Sequence, residues 1–284
     1  MKIKALKEKL YFHFFRVVTA SLVVFLLVLI GNFVSSGIGV VNWTFLTDVP
    51  RMGMTAGGIF PAVVGTMYLT LGTILLALPL GVASAVYLTE YAHEGRLVNA
   101  INTAITNLAG VPSIIHGLFG FGLFVNFLHM GTSIISGALT LSLLVLPIVI
   151  SASREALLSV PRSFREGSLA LGATKWETIR HNVLPYALPG ILTGTILAVA
   201  RAAGETAPII LTAAFFFRPS LPASPFEGTM ALATHIYYMA TQHPNIQLVR
   251  PLAYGTALVL LMLVLSLNLA AIIIRTKHRR GKRW

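Results

Sequence analysis

The chain has no cysteine, which excludes a disulfide, a thiolate nucleophile and a cysteine-ligated metal, and leaves its redox compartment unmarked. Charge is scarce, at 11% of 284 residues, and acidic residues scarcer still, 9 against 21 basic. With 56% hydrophobic residues and a mean hydropathy of +0.81, the composition lies outside the range of soluble domains and indicates a polytopic membrane protein. No G-x-x-x-x-G-K-[ST] motif occurs, so ATP hydrolysis by a phosphate loop is excluded. No stretch between apolar runs is long enough for a separate soluble domain, and a single transmembrane domain over residues 1–284 is expected. The net charge of +12 does not imply nucleic acid, because the basic residues flank apolar runs and read as topology signals facing lipid headgroups.

Hydropathy predicts an all-α fold of six transmembrane helices over about residues 17–34, 59–88, 110–128, 134–152, 186–217 and 252–274. The first is read as an uncleaved span, since no A-x-A site follows it. Seventeen Lys and Arg fall on one side of this arrangement and three, Arg51, Arg218 and Arg250, on the other. The positive-inside rule therefore puts both termini in the cytoplasm. Pro79 is expected to bend the second span, and residues 97–108, rich in Asn and Thr, to lie at the interface or inside the bundle. Gly117, Gly120 and Gly122 are read as close-packing positions, and His116 as a packing histidine rather than a metal ligand. Met230, Ala233, Ile236, Tyr237 and Ala240 recur at helical spacing and predict a short amphipathic helix on the outer surface.

Two polar features stand out. Residues 161–185, PRSFREGSLALGATKWETIRHNVLP, predict helix, glycine elbow, helix: Ser163 with Glu166 and Thr174 with Glu177 fit capping boxes, Gly172 suits a positive φ, and Pro185 closes the unit. The second is Arg201 and Glu205 within the fifth span. An arginine at a helix centre costs about 2.5–3.5 kcal/mol on insertion scales, so it faces a cavity or a partner. Four residues apart, the pair shares a helix face. An intrahelical ion pair is one reading. The other is an anion site on a transport path, because the guanidinium fork matches tetrahedral oxyanions and the carboxylate can accept a hydrogen bond from a protonated anion oxygen, which phosphate has and sulfate lacks. Gly204 and Pro208 are placed to break the helix there.

Glu166, Gly172, Leu184 and Pro185 fall at the spacing of the EAA loop, and the island resembles that signature of permease subunits of binding-protein-dependent ABC importers. It departs at Gly167 and Ser168, where the pattern has two alanines, and at Asn182, where it has isoleucine. With LAGVPSIIHGLFG at 108–120, VPRSFREGSLALGATKWETI at 160–179 and RAAGETAP at 201–208, nearly the whole chain is similar to the A-type permease of phosphate ABC importers, the PstA type. That resemblance implies a type I ABC importer permease fold in a bacterial or archaeal cytoplasmic membrane. It implies a phosphate pathway at Arg201, Glu205 and Thr206, and docking of Glu166, Gly167, Ser168, Gly172, Ala173 and Thr174 onto an ATPase. It further implies a second similar permease, two ATPase subunits that use ATP and magnesium, an extracytoplasmic phosphate-binding protein, and no cofactor on this chain.

A permease for sulfate, molybdate or phosphonate would share the EAA loop but not RAAGETAP. A secondary transporter usually shows inverted repeats, and none is visible. An intramembrane enzyme needs paired carboxylates, a histidine cluster or a nucleophile with its base, roles that Arg201 and Glu205 do not fill.

Overall fold

The computed structural model describes residues 2–93 and 95–280; Met1, Glu94 and the last four residues of the basic tail lie outside the described residues. Twelve helices follow in order among them: α1 Lys2–Gly37, α2 Trp43–Thr47, α3 Phe60–Val86, α4 Arg96–Ala109, α5 Ser113–Gly120, α6 Ile134–Leu158, α7 Arg162–Ala170, α8 Lys175–Thr178, α9 Leu184–Gly204, α10 Ala207–Thr212, α11 Leu232–Thr241 and α12 Ile246–Arg280. Between α2 and α3 a small antiparallel hairpin pairs Pro50 with Gly57 and Arg51 with Ala56.

Five helical stretches are long and apolar enough to cross a membrane, and counting the bent pair α4 and α5 as one broken span makes six. This corrects the expected third span. The chain breaks at Gly110 and Pro112, where α5 leaves α4 at 103°. The helix from Ser113 continues in wider turns only to Phe127, about 22 Å at 1.5 Å per residue against a hydrocarbon core of about 30 Å. Pro79 and Pro147 sit inside otherwise continuous helices. Helix α12 begins at Ile246, so Pro251 lies within it rather than ahead of it.

The core is α3, α6 and α9. Between apolar helices in lipid, water no longer drives association and close packing of small residues does. The contact line follows that rule: a side chain at Gly190 or Gly194 would meet the methyl groups of Ala156 and Ala152. Ala77, Leu144, Val145, Val149, Ala198 and Ala202 form a buried cluster at mid-height. Nearer the cytoplasm Ala85, Val86, Leu157, Val160, Ile179, Val183, Ala187 and Ile191 form another. Helix α1 touches the rest near its end, where Gly37 abuts Tyr254 and Gly255 and Phe33 meets the Tyr254 ring edge-on at 5.6 Å. Its apolar length is otherwise uncovered.

On the outer side, α11 is not a free surface helix. Its buried face is Leu232, Ala233, His235 and Met239, whereas Tyr237 and Ala240 are exposed and Met230 precedes it. The Thr66 hydroxyl of α3 accepts from the Leu232 amide at 2.8 Å, which seats α11 on the bundle.

Candidate functional site

The fifth span is two helices. Pro208 has no N–H to continue the ladder back to Gly204, Glu205 turns out to φ −71, ψ 136, and α10 starts at Ala207. Beyond Thr212 the chain is extended, with the Phe215 amide donating to the Thr229 carbonyl at 2.8 Å, so no single helix runs over 186–217.

Glu205 therefore stands outside α9 and shares no helix face with Arg201. The pair forms nonetheless: Arg201 Nε donates to Glu205 Oε1 at 3.2 Å. This commits one of the five guanidinium N–H groups; the others have no partner among the described residues. The Arg201 side chain is 37% accessible and that of Glu205 16%, so the charged fork opens to the outside of the chain. Ala198 and Ala202 pack on Leu144, Val145 and Val149, residues midway along α6, which places Arg201 near the membrane centre. Thr206 is half-buried at the break, its hydroxyl free of hydrogen bonds among the described residues.

Helix α5 backs this break. A Cβ on Gly117 would lie 2.9 Å from Pro208 Cα, and one on Gly120 would strike Thr140, while Gly122 faces open space. Two of the three glycines are thus close-packing positions and the third is not. His116 is buried, with Nδ1 3.4 Å from the Pro112 carbonyl and Nε2 without a partner among the described residues.

At the other end, residues 161–185 form the elbow. Gly172 has φ 85 between α7 and α8. Thr174 caps α8: its hydroxyl accepts from the Glu177 amide, and Glu177 accepts from the Thr174 amide at 2.8 Å. These bonds to Thr174 hold the Glu177 carboxyl below its usual pKa. The Ser163 box does not form, because α7 starts at Arg162 and Ser163 lies inside the first turn, past the cap position. Nor does Pro185 close the unit. The helix from Lys175 runs on to Gly204 through a wider-turned segment at Ile179–Val183, which absorbs the missing proline N–H.

Glu166, Gly167, Gly172 and Thr174 are exposed, and Ser168 and Ala173 half-buried. Ser168 Oγ accepts from Asn182 Nδ2 at 2.9 Å and Thr178 Oγ1 at 3.0 Å. Two of the three residues that depart from the EAA pattern, Ser168 and Asn182, are thus bonded to each other. Leu169, Leu171 and Trp176 stand out from the elbow at 49%, 91% and 53% exposure, beside a groove lined by Phe164, Gly167, Leu171 and Asn182. Together they form an exposed apolar patch on the otherwise polar elbow.

Residues 77–283 match the family described as binding-protein-dependent transport system inner membrane component. The chain belongs to that family. Among its relatives, the phosphate transport system permease protein PstA 1 of Mycobacterium tuberculosis (strain ATCC 25618 / H37Rv) is 41% identical over 80% of this chain and 73% of its own. The probable ABC transporter permease protein YqgI of Bacillus subtilis (strain 168) is 33% identical over 94% and 95%. A probable PstA of Methanocaldococcus jannaschii is 33% identical over 93% and 92%. In fold, this permease resembles the inward-facing MetNI methionine ABC transporter, with TM-score 0.58 at 18% identity over 78% of this chain and 94% of that one. It also resembles a bacterial ABC transporter importing alginate, with TM-score 0.61 at 15% identity over 80% of each. The all-α type I importer fold is thereby shown, and the permease is an integral membrane protein.

Sequence reasoning missed Arg165 and Glu90. The Arg165 guanidinium donates to Glu90 Oε1 at 2.6 Å and to the carbonyls of Leu157 and Val160 at 2.9 and 2.8 Å. Seventy-five positions separate the pair, so no local pattern announces it.

Proposed function

We propose that this permease is the membrane-spanning subunit of an ATP-driven importer of inorganic phosphate, with Arg201, Glu205 and Thr206 on the pathway. One observation carries the reading: a guanidinium at mid-membrane, beside a helix break, keeps four of its five N–H donors uncommitted among the described residues. A tetrahedral oxyanion supplies acceptors for that fork, and relatives bear the name of phosphate transport permeases. Glu205 orients Arg201 from the Nε edge and limits how tightly an anion is held.

The chain acts as one transmembrane domain. A second similar permease completes the pathway, two ATPase subunits bind and hydrolyse ATP with magnesium, and an extracytoplasmic phosphate-binding protein delivers the anion. Glu166, Gly167, Ser168, Gly172, Ala173 and Thr174 form the surface on which the ATPase docks, supported by the apolar knobs Leu169, Leu171 and Trp176. Closure of the ATPases moves the elbow, and the spans attached to it swing between outward and inward openings.

The test is uptake of labelled phosphate in cells lacking this chain, complemented by wild type or Arg201→Gln, with excess sulfate or molybdate. Restoration by wild type alone, unaffected by either competitor, is expected. Competition by sulfate overturns the substrate assignment and leaves the importer reading.

A further inference from the structure

The elbow must do more than receive the ATPase; its movement has to reach the spans. Helix α7 has nine residues, none of them buried, and a helix that short is marginal in water without tertiary ties. Two of its ties go to expected places. Phe164 packs edge-on to Tyr186 at 4.7 Å, and Ser168 is bonded to Thr178 and Asn182. Both lead to the segment that becomes α9.

The third tie leads elsewhere. Arg165 is half-buried and its guanidinium is nearly saturated. Nε and Nη2 both reach the Glu90 carboxylate, Nη1 reaches the Val160 carbonyl, and Nη2 also reaches the Leu157 carbonyl. Glu90 lies in the wider-turned extension of α3, Tyr87–Tyr91, and its side chain is 8% accessible. Leu157 lies in the last turn of α6, its carbonyl also accepting from the Val160 amide at 3.3 Å, and Val160 lies just beyond that helix. One side chain from the elbow thus holds the cytoplasmic ends of α3 and α6 together. Charge-assisted, partly buried bonds of this kind resist deformation more than exposed ones do. Its chain neighbour Glu166 is exposed.

We infer that Arg165 is the positioning residue through which displacement of α7 is passed to α3 and α6, with Glu90 as its fixed partner. The inference rests on the ATP-driven permease reading. From α6 the packing continues through Leu144, Val145 and Val149 to Ala198 and Ala202, flanking Arg201. Coupling travels by a contiguous packed route, and an element both sites bias is what such a route requires.

The experiment uses the complete transporter reconstituted with its partner subunits. This chain has no native cysteine, so Ser151→Cys, on an exposed position of α6, provides its single thiol. Three quantities are read: ATP hydrolysis, the ATP-dependent change in labelling of that thiol, and uptake of labelled inorganic phosphate. Arg165→Gln is expected to assemble and hydrolyse ATP within about threefold of wild type, while the labelling change and uptake each fall about tenfold or more. Arg165→Lys retains part of both, since one ammonium does not span the same acceptors. The exchange Glu90→Arg with Arg165→Glu does not restore coupling, because a carboxylate cannot donate to the carbonyls of α6. An unchanged labelling response in Arg165→Gln, or full rescue by the exchange, overturns the inference. If Arg165→Gln does not assemble, Arg165→Lys and Glu90→Gln decide: retained hydrolysis with a weakened labelling response supports it, and parallel loss of both overturns it. A wild-type complex that responds to ATP but takes up no phosphate defeats the substrate reading and leaves this one standing.

Discussion

Arg201 and Glu205 touch through a single bond at 3.2 Å, and the two side chains make separable predictions. In the proposed pathway, removing the guanidinium abolishes the charge that would face the anion. Glu205→Gln leaves that charge, but an amide in place of the carboxylate no longer favours a protonated anion oxygen. The expected result is a narrowing, by about tenfold, of the preference for phosphate over sulfate, measured by competition for uptake. Equal loss for both anions sinks this role for Glu205. His235 of α11, outside the spans, makes a pH prediction. Burial lowers its pKa from 6.5 to about 4, so between those values an opened α11 binds a proton that the closed form refuses. The closed form has its full advantage above pH 6.5 and loses it as pH falls toward 4, by about 3 kcal/mol in all. Hydrogen exchange of α11 amides at pH 7 and pH 5 should show faster opening at the lower pH after correction for intrinsic rates. Arg201 was legible in the sequence because a charge in an apolar run is conspicuous. Arg165 was not, because an arginine in a polar island is ordinary until its partner 75 positions away is known.

Between residues and molecule, the elbow is the element whose local rules worked best. Gly172 takes φ 85 and Thr174 caps α8, both readable from spacing. Gly172→Ala, forced into a left-handed conformation, should destabilise the elbow by about 1–2 kcal/mol, and Thr174→Ala by about 1 kcal/mol through loss of the cap. Limited proteolysis between α7 and α8 in the purified complex should report both, with cleavage faster than in wild type. Two local rules failed here. Ser163 reads as a cap only if α7 starts after it, and the helix starts at Arg162. Pro185 reads as a stop, yet five residues of wider winding ahead of it carry the helix through. At Pro185, tertiary packing of the neighbouring Val183 and Ala187 overrides the local preference. The break at Glu205 is the reverse case: Gly204 and Pro208 announced it, although hydropathy alone ran the span on to residue 217.

For the molecule as a whole, hydropathy marked the apolar runs, but it does not contain the angle between helices, so the 103° bend of α4 and α5 was beyond it. The packing of α6 on α9 depends on Gly194 meeting Ala152. Gly194→Val should force the helices apart and destabilise the bundle by about 1–3 kcal/mol, visible as a lower thermal midpoint of the purified complex in lipid.

The unbroken run from Lys175 to Gly204 ends at the hinge beside Arg201, and about 45 Å of continuous helix lies between elbow and hinge. Such a rod behaves as a lever with its fulcrum near Arg201. A displacement of several ångströms at the cytoplasmic end dwindles to little at Arg201, while α10 stays seated against α5. In the proposed importer the anion is then not carried by its arginine; the walls move around a nearly stationary charge, opening first on one side and then on the other.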